Sequence, residues 1–299
     1  MQDDQPGSAV TLGHGICRIV APNPSPMTGQ GTNSYLVGKH KGLALIDPGP
    51  GIAAHLDAIL SALGTARHIS HILVTHPHSD HSSLAPALAA ATGAQVLAFG
   101  PAGSGRSARM QALAAQGDLG GGEGSDTGFD PDMRLTDGDV VRGDGWQIKV
   151  HHCPGHMAEH LCFAYGDQLF SGDHVMGWST SLVSPPDGDM GAYMASLAAL
   201  QKQDWARFLP GHGPVIADPA TRLDELVIHR RAREAAILSA VAEGARTLAA
   251  ITGRVYADIP PGLRPAAARN AFAHLIDLAD KGRVTAIPSV TPAAMFGLA

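Results

Sequence analysis

Apolar positions along this chain come in short runs, and one run after another stops at a turn that carries a histidine or an aspartate. Ile72-Leu73-Val74 gives way to Thr75-His76-Pro77-His78-Ser79-Asp80-His81. Trp146, Ile148 and Val150 alternate with Gln147, Lys149 and His151, the period-two pattern of a half-buried strand. That strand leads into the turn Cys153-Pro154-Gly155-His156. Leu161 to Tyr165, Gly166-Asp167 and Gln168 to Phe170 read as a hairpin ending in Ser171-Gly172-Asp173-His174. Phe208-Leu209-Pro210 runs into Gly211-His212-Gly213.

Other segments have the helical period. Ile52, Leu56, Ile59, Leu60 and Leu63 form one stripe, so a helix is predicted over 52–63, after a hairpin of Tyr35-Leu36-Val37 with Leu43 to Ile46. A second helix is expected over 82–92 and a short strand over 95–99. The glycine-heavy stretch 100–128, with a short helix at 107–116, reads as a substrate lid or a mobile surface insertion. Asp218-Pro219 is a helix start and Gly244 a stop. Helices over 247–256 and 265–281 and a strand over 282–287 complete a small helical, winged-helix-like unit. The expected division is 1–221 for the body and 222–299 for this appendix.

Histidine and aspartate together are the ligand set that borderline divalent cations favour. His76 and His78, two apart on extended backbone, point the same way. Asp80 and His81 lie past the turn, where they can address a second ion. A histidine after a glycine is usually only a turn residue. Here the signal is the joint order of all these turns.

That order, His-x-His-x-Asp-His followed by a histidine, an aspartate and a histidine, resembles the metallo-β-lactamase fold superfamily. Pro22 to Thr28, Gly31 to Val37 and Ser184 to Met190 add a likeness to the bacterial relatives of β-lactamase-like protein 2. The resemblance implies an α/β fold, an αββα sandwich, and two divalent cations, zinc before iron or manganese. By motif, His76, His78 and His156 would hold one cation, Asp80, His81 and His212 the other, and Asp173 would bridge them. Asp80 would also orient a metal-activated water and shuttle its proton. His160 and His174 are candidates for substrate contact or proton donation, or for support behind the ligands. The sequence departs from the superfamily at Ser82-Ser83, where Gly-Gly is common, at Met157, where Thr is common, and at Glu159-His160, in place of Asp-His.

Composition narrows the partners. With 299 residues, 44% hydrophobic and 16% charged, the chain has the make-up of a globular enzyme and has no long uncharged apolar window. Three cysteines, Cys17, Cys153 and Cys162, argue against a disulfide framework, and a cytoplasmic protein is expected. Residues 222–299 hold ten Lys+Arg against seven Asp+Glu, while the whole chain is at −6. This basic appendix is compatible with docking an RNA backbone, though it also fits a solvated helix. The readings to separate are therefore an endoribonuclease-like phosphodiesterase on single-stranded RNA and a glyoxalase II-like hydrolase of small esters, thioesters or lactones. A β-lactamase or a non-catalytic metal-binding protein ranks below both. A homo-oligomer is compatible with everything above.

Overall fold

The computed structural model describes residues 5–117, 119–122 and 124–299. Strands β1 (Ala9–Gly13), β2 (Ile16–Val20), β3 (Asn33–Val37) and β4 (Gly42–Ile46) form an antiparallel meander. After α1 (Ala53–Leu63), β5 (His68–Leu73) joins parallel to β4. Helices α2 (Ser79–Ser82) and α3 (Ala85–Thr92) lead to β6 (Gln95–Ala98). Helix α4 (Ala108–Ala115) precedes β7 (Met133–Arg134), which closes a seven-stranded sheet in the order β1 to β7.

The second sheet takes β8 (Val140–Gly143), β9 (Trp146–His152), β10 (Leu161–Tyr165) and β11 (Gln168–Gly172) as an antiparallel run. Helix α5 (Met190–Leu200) then returns the chain to β12 (Arg207–Pro210), parallel to β11. Three helices follow: α6 (Pro219–Ala242), α7 (Leu248–Val255) and α8 (Arg264–Asp280). A last hairpin, β13 (Val284–Ile287) with β14 (Met295–Leu298), completes the winged-helix unit.

Strand parity builds the layers. In β3, Tyr35 and Val37 point inward to meet Ile148, Val150, Phe163 and Phe170 of the other sheet. Leu36 between them points outward into a cluster with Ile59 and Leu63 of α1 and Leu88 of α3. On the far side, Cys162 and Leu169 pack under Tyr193 and Leu197 of α5 and Leu223 and Leu226 of α6. The result is the expected αββα sandwich.

Three features depart from the expectation. The helix foreseen over 82–92 is two helices, because Pro86 has no N–H to give the preceding turn. The described residues of the stretch 100–128 are anchored: Met110, Leu113 and Leu119 are buried in one core with Ile237, Phe272 and Leu275. The boundary expected after residue 221 falls inside α6, whose first half packs with the sandwich and whose second half, from Ile237 on, packs with the C-terminal unit.

Candidate metal centre

The strand ends deliver the candidate ligands to one edge of the sandwich. Val74, with its N–H on Leu97 O, extends β5, and the chain turns through His76 and His78 into α2, which carries Asp80 and His81. His156 leaves the Pro-Gly turn after β9. Gly155 there has φ +148, and a Cβ on it would lie 2.4 Å from the Cα of Tyr193, so only glycine lets the turn rest on α5. Asp173 follows β11 and His212 follows β12, neighbours joined by the Gly211 N–H on Gly172 O at 2.8 Å.

Two groups of potential ligands result: His76, His78, His156 and Asp173, and Asp80, His81 and His212. Within each group the candidate ligand atoms lie within 4.8 Å of one another. Asp173 stands between them, its Oδ2 at 3.9 Å from His156 Nε2 and 3.3 Å from His212 Nε2, and its Oδ1 at 3.5 Å from His81 Nε2.

The proton positions can be derived from the partners. His81 Nδ1 lies 2.8 Å from Asp47 Oδ2, a carboxylate oxygen that only accepts, so this nitrogen donates. His212 Nδ1 likewise donates to Gly31 O at 3.2 Å. Both Nε2 atoms, 3.3 Å apart, therefore present lone pairs to each other unless a proton or a metal cation sits between them. His156 Nδ1 donates to Leu182 O at 2.6 Å. Thr75 Oγ1 gives its only proton to Asp47 Oδ2 and so accepts from His76 Nδ1 at 2.9 Å. The bare Nε2 atoms of His76 and His156 then converge on His78 Nδ1, at 2.9 and 3.1 Å. These side chains fit a pair of cations. Asp47, at φ +52, also bonds the Thr75 N–H, so one buried carboxylate orients both groups.

Charge divides the two groups. Burial, reinforced by neighbouring imidazoles, holds His76 well below the usual histidine range and His78 down at about 3, so these rings are neutral. Burial also opposes charge on His81 and His212, but the surrounding carboxylates of Asp80 and Asp173 outweigh it. His81 is held well above the usual range and His212 rises to about 9. For Asp80 and Asp173, burial is likewise overcome, here by those same imidazoles, and both carboxyls stay far below the ordinary range.

His160 and His174 have no exposed surface. His160 Nε2 accepts the Asp173 N–H at 3.2 Å and its ring stacks on His76, while His174 packs against Tyr193. Both therefore stand behind the ligands. Asp80 and His78 are the candidate ligands that are not fully buried; the Asp80 side chain is 27% exposed, with Thr32 Oγ1 donating to its Oδ2 at 3.1 Å. Thr32 and Leu182 act here without any metal-ligand residue type to announce them in the sequence. Ser82, at the Gly-Gly position, donates between His78 O and Asp126 Oδ2 and so ties residues 124–129 to the metal turn. Glu159 is buried, and burial raises its carboxyl; Oε1 accepts the Gly105 N–H. A cavity of ≈ 300 Å³, lined by Arg18, Gln30, Asn33 and Trp178 among others, opens beside His212 through Gly31 and Gly213.

An αββα sandwich with a histidine and aspartate cluster suited to two metals, at the ends of its strands, defines a class. A family profile described as the Metallo-beta-lactamase superfamily matches residues 27–212, and one described as Beta-lactamase associated winged helix domain matches residues 247–291. The chain belongs to the metallo-β-lactamase superfamily, whose members are in general metal-dependent hydrolases. It is 32% identical to the Beta-lactamase-like protein 2 homolog of Caenorhabditis elegans over 278 residues, 91% of this chain and 87% of that one. A beta-lactamase domain protein from Burkholderia ambifaria shares the fold with a TM-score of 0.80 at 21% identity, covering 100% of this chain and 96% of that chain. TTHA1623 in a di-iron-bound form matches with a TM-score of 0.50 at 28% identity, over 67% of this chain and 93% of that chain.

Proposed function

We propose that the protein is a binuclear metal-dependent hydrolase. His76, His78 and His156 hold one divalent cation, Asp80, His81 and His212 the other, and Asp173 bridges them. One observation carries this reading: imidazoles whose Nδ1 protons are committed outward turn their Nε2 atoms toward one another around a buried carboxylate, bare in His76 and His156 and holding a displaceable proton in His212. When bound, such a pair of cations supplies Lewis acidity and a water nucleophile ionised near neutral pH, at about 7. Zinc is the expected cation; the mixed nitrogen and oxygen donors, and the di-iron form of TTHA1623, keep iron and manganese as alternatives. Asp80 orients the nucleophile and takes its proton at Oδ1, since Thr32 and His212 engage Oδ2. His160 holds the Asp173 backbone through its N–H, and His174 fills the space behind it against Tyr193.

The substrate reading best supported is single-stranded RNA. Trp178, 42% exposed at the cavity beside His212, offers a face on which a base can stack, and Arg18 lies in the same cavity. Residues 222–299 supply a net positive charge. The second reading, a small ester, thioester or lactone, is favoured by the acidic charge of the whole chain, −6, which repels a polyanion. Residues 1–221 would form the catalytic unit and 222–299 the appended winged-helix unit, with α6 shared between them. We place the protein in the cytoplasm because its three cysteines are free; among the described residues no helix is long and apolar enough to cross a membrane.

One preparation of known metal content, offered single-stranded RNA, a thioester, a lactone and a β-lactam, separates these readings. RNA cleavage that weakens steeply with salt is the expected result. Replacing Asp80 and His81 together by alanine is expected to abolish turnover with the fold retained; undiminished turnover would rule out the binuclear reading.

A further inference from the structure

Arg230, on α6, is among the largest side chains in the protein that are almost wholly buried, at 2% exposure. Burying a guanidinium is costly unless its donors are satisfied, and among the described residues no carboxylate pairs with this one. Its partners are neutral. One NH2 donates to Ser181 O, NH1 donates to Asn270 Oδ1 at 3.1 Å, and the charge sits over the Tyr193 ring, 5.0 Å from its centroid. Asn270, on α8, uses the same oxygen to accept the Val183 N–H at 3.0 Å. Two residues of the C-terminal helices thus grip the backbone on both sides of Leu182.

Leu182 O is the acceptor that fixes the His156 proton on Nδ1. With Ser181 and Val183 clamped, that carbonyl has one direction to point, and it leaves the His156 Nε2 lone pair facing His76 and His78. The clamp reaches the carboxylate as well: Ser181 Oγ donates to Asp173 O at 2.6 Å and lies 2.9 Å from His174 O.

We propose that Arg230 and Asn270 are positioning residues for the first metal group, acting through the Ser181–Val183 backbone to fix the tautomer and orientation of His156. The C-terminal unit thereby forms part of the metal site's support, whatever else it binds. The inference rests on the binuclear reading above, and on this chain's own contacts for the rest. Partners that orient a metal-bound histidine are commonly worth about 10–100-fold in metal affinity.

The test titrates metal-stripped full-length protein with Co²⁺, in the parent chain and in a His81→Ala background that retains only the first group. Asn270→Leu is expected to weaken Co²⁺ binding to the first group by about 10–100-fold. Asn270→Asp keeps the accepting oxygen and is expected to restore binding to within a few-fold of the parent. Arg230→Met serves as a second variant, and thermal unfolding of each confirms that it is folded. A readout independent of metal is the ¹⁵N spectrum of the His156 ring, expected to show a protonated Nδ1 in the parent and a mixture of tautomers in Asn270→Leu. Parent-like Co²⁺ affinity and tautomer in folded Asn270→Leu and Arg230→Met overturn the inference alone. No Co²⁺ uptake by the parent chain overturns the binuclear reading and the inference with it.

Discussion

Asp47 concentrates much of the site's logic in one side chain. It holds Thr75 through both the backbone N–H and the hydroxyl, and it turns His81 so that Nε2 faces inward. Asparagine tolerates the positive φ of this position, so Asp47→Asn removes the charge with little backbone strain. The expected outcome is a folded protein whose cation affinity falls about 10–100-fold, read by equilibrium dialysis against a metal buffer. His212 gives a second expectation. Its ring, raised to about 9 in the metal-free protein, carries a proton at pH 7 that a cation must displace. Binding to this group should therefore release protons and tighten as pH climbs toward about 9. Calorimetry in buffers of different ionisation heat measures that release; a second equivalent that binds with no proton release would refute the assignment.

Among the elements, those with a strong period were legible and those set by distant packing were not. The alternation in β9 and the stripe on α1 announced both, and the apolar runs before His76, Asp173 and His212 marked three of the strand ends that present candidate ligands. The edge hairpin β1–β2 and the final strand β14 carry little signal of their own because only pairing with neighbours stabilises them. Helix α5 is not legible in the sequence because it is apolar on several faces, buried between the second sheet and the C-terminal helices, and shows no clear stripe. The candidate ligand residues could be named from the motifs of the superfamily they resemble, whereas the groups behind them could not. A carbonyl such as Leu182 O has no residue signature, and only the fold brings Asp47 to His81. Close approach of β11 and β12 also sets a limit visible only in three dimensions. A Cβ on Gly211 would stand 2.5 Å from Asp173 Oδ1 and 2.6 Å from His81 Cε1. Gly211→Ala is therefore expected to leave far-UV circular dichroism intact while lowering bound metal below one equivalent; two retained equivalents would contradict the geometry.

At the scale of the whole molecule, buried imidazoles set how stability follows pH. Burial lowers His55 to about 4, and His174 and His274 to about 3, from an ordinary value near 6.5. The unfolded chain binds protons at these positions between those values and the native chain does not, so stability is full above about 6.5 and drains away as pH falls. His212 acts in the opposite sense. Raised to about 9, it favours the metal-free native state below about 6.5 and withdraws that support as pH rises through 9. The melting temperature of chelated protein should thus peak near neutrality, and added metal should lift the alkaline limb most, where the His212 proton no longer competes. A flat profile would contradict this account. Removing His274, whose ring nitrogens find no partner among the described residues, by His274→Leu should stabilise the protein by about 1–3 kcal/mol, measured by denaturant titration, and flatten the acid limb.

The anchoring of 100–128 bears on how the polypeptide comes to life. Met110, Leu113 and Leu119 share their core with helices encoded more than a hundred residues later. During synthesis all seven cation-seeking side chains emerge before Asn270 and the rest of α8, so a nascent chain carries an unfinished, chelating pocket. Maturation of this protein is then a question of timing, with ion capture and closure of the last helices competing for the order of events.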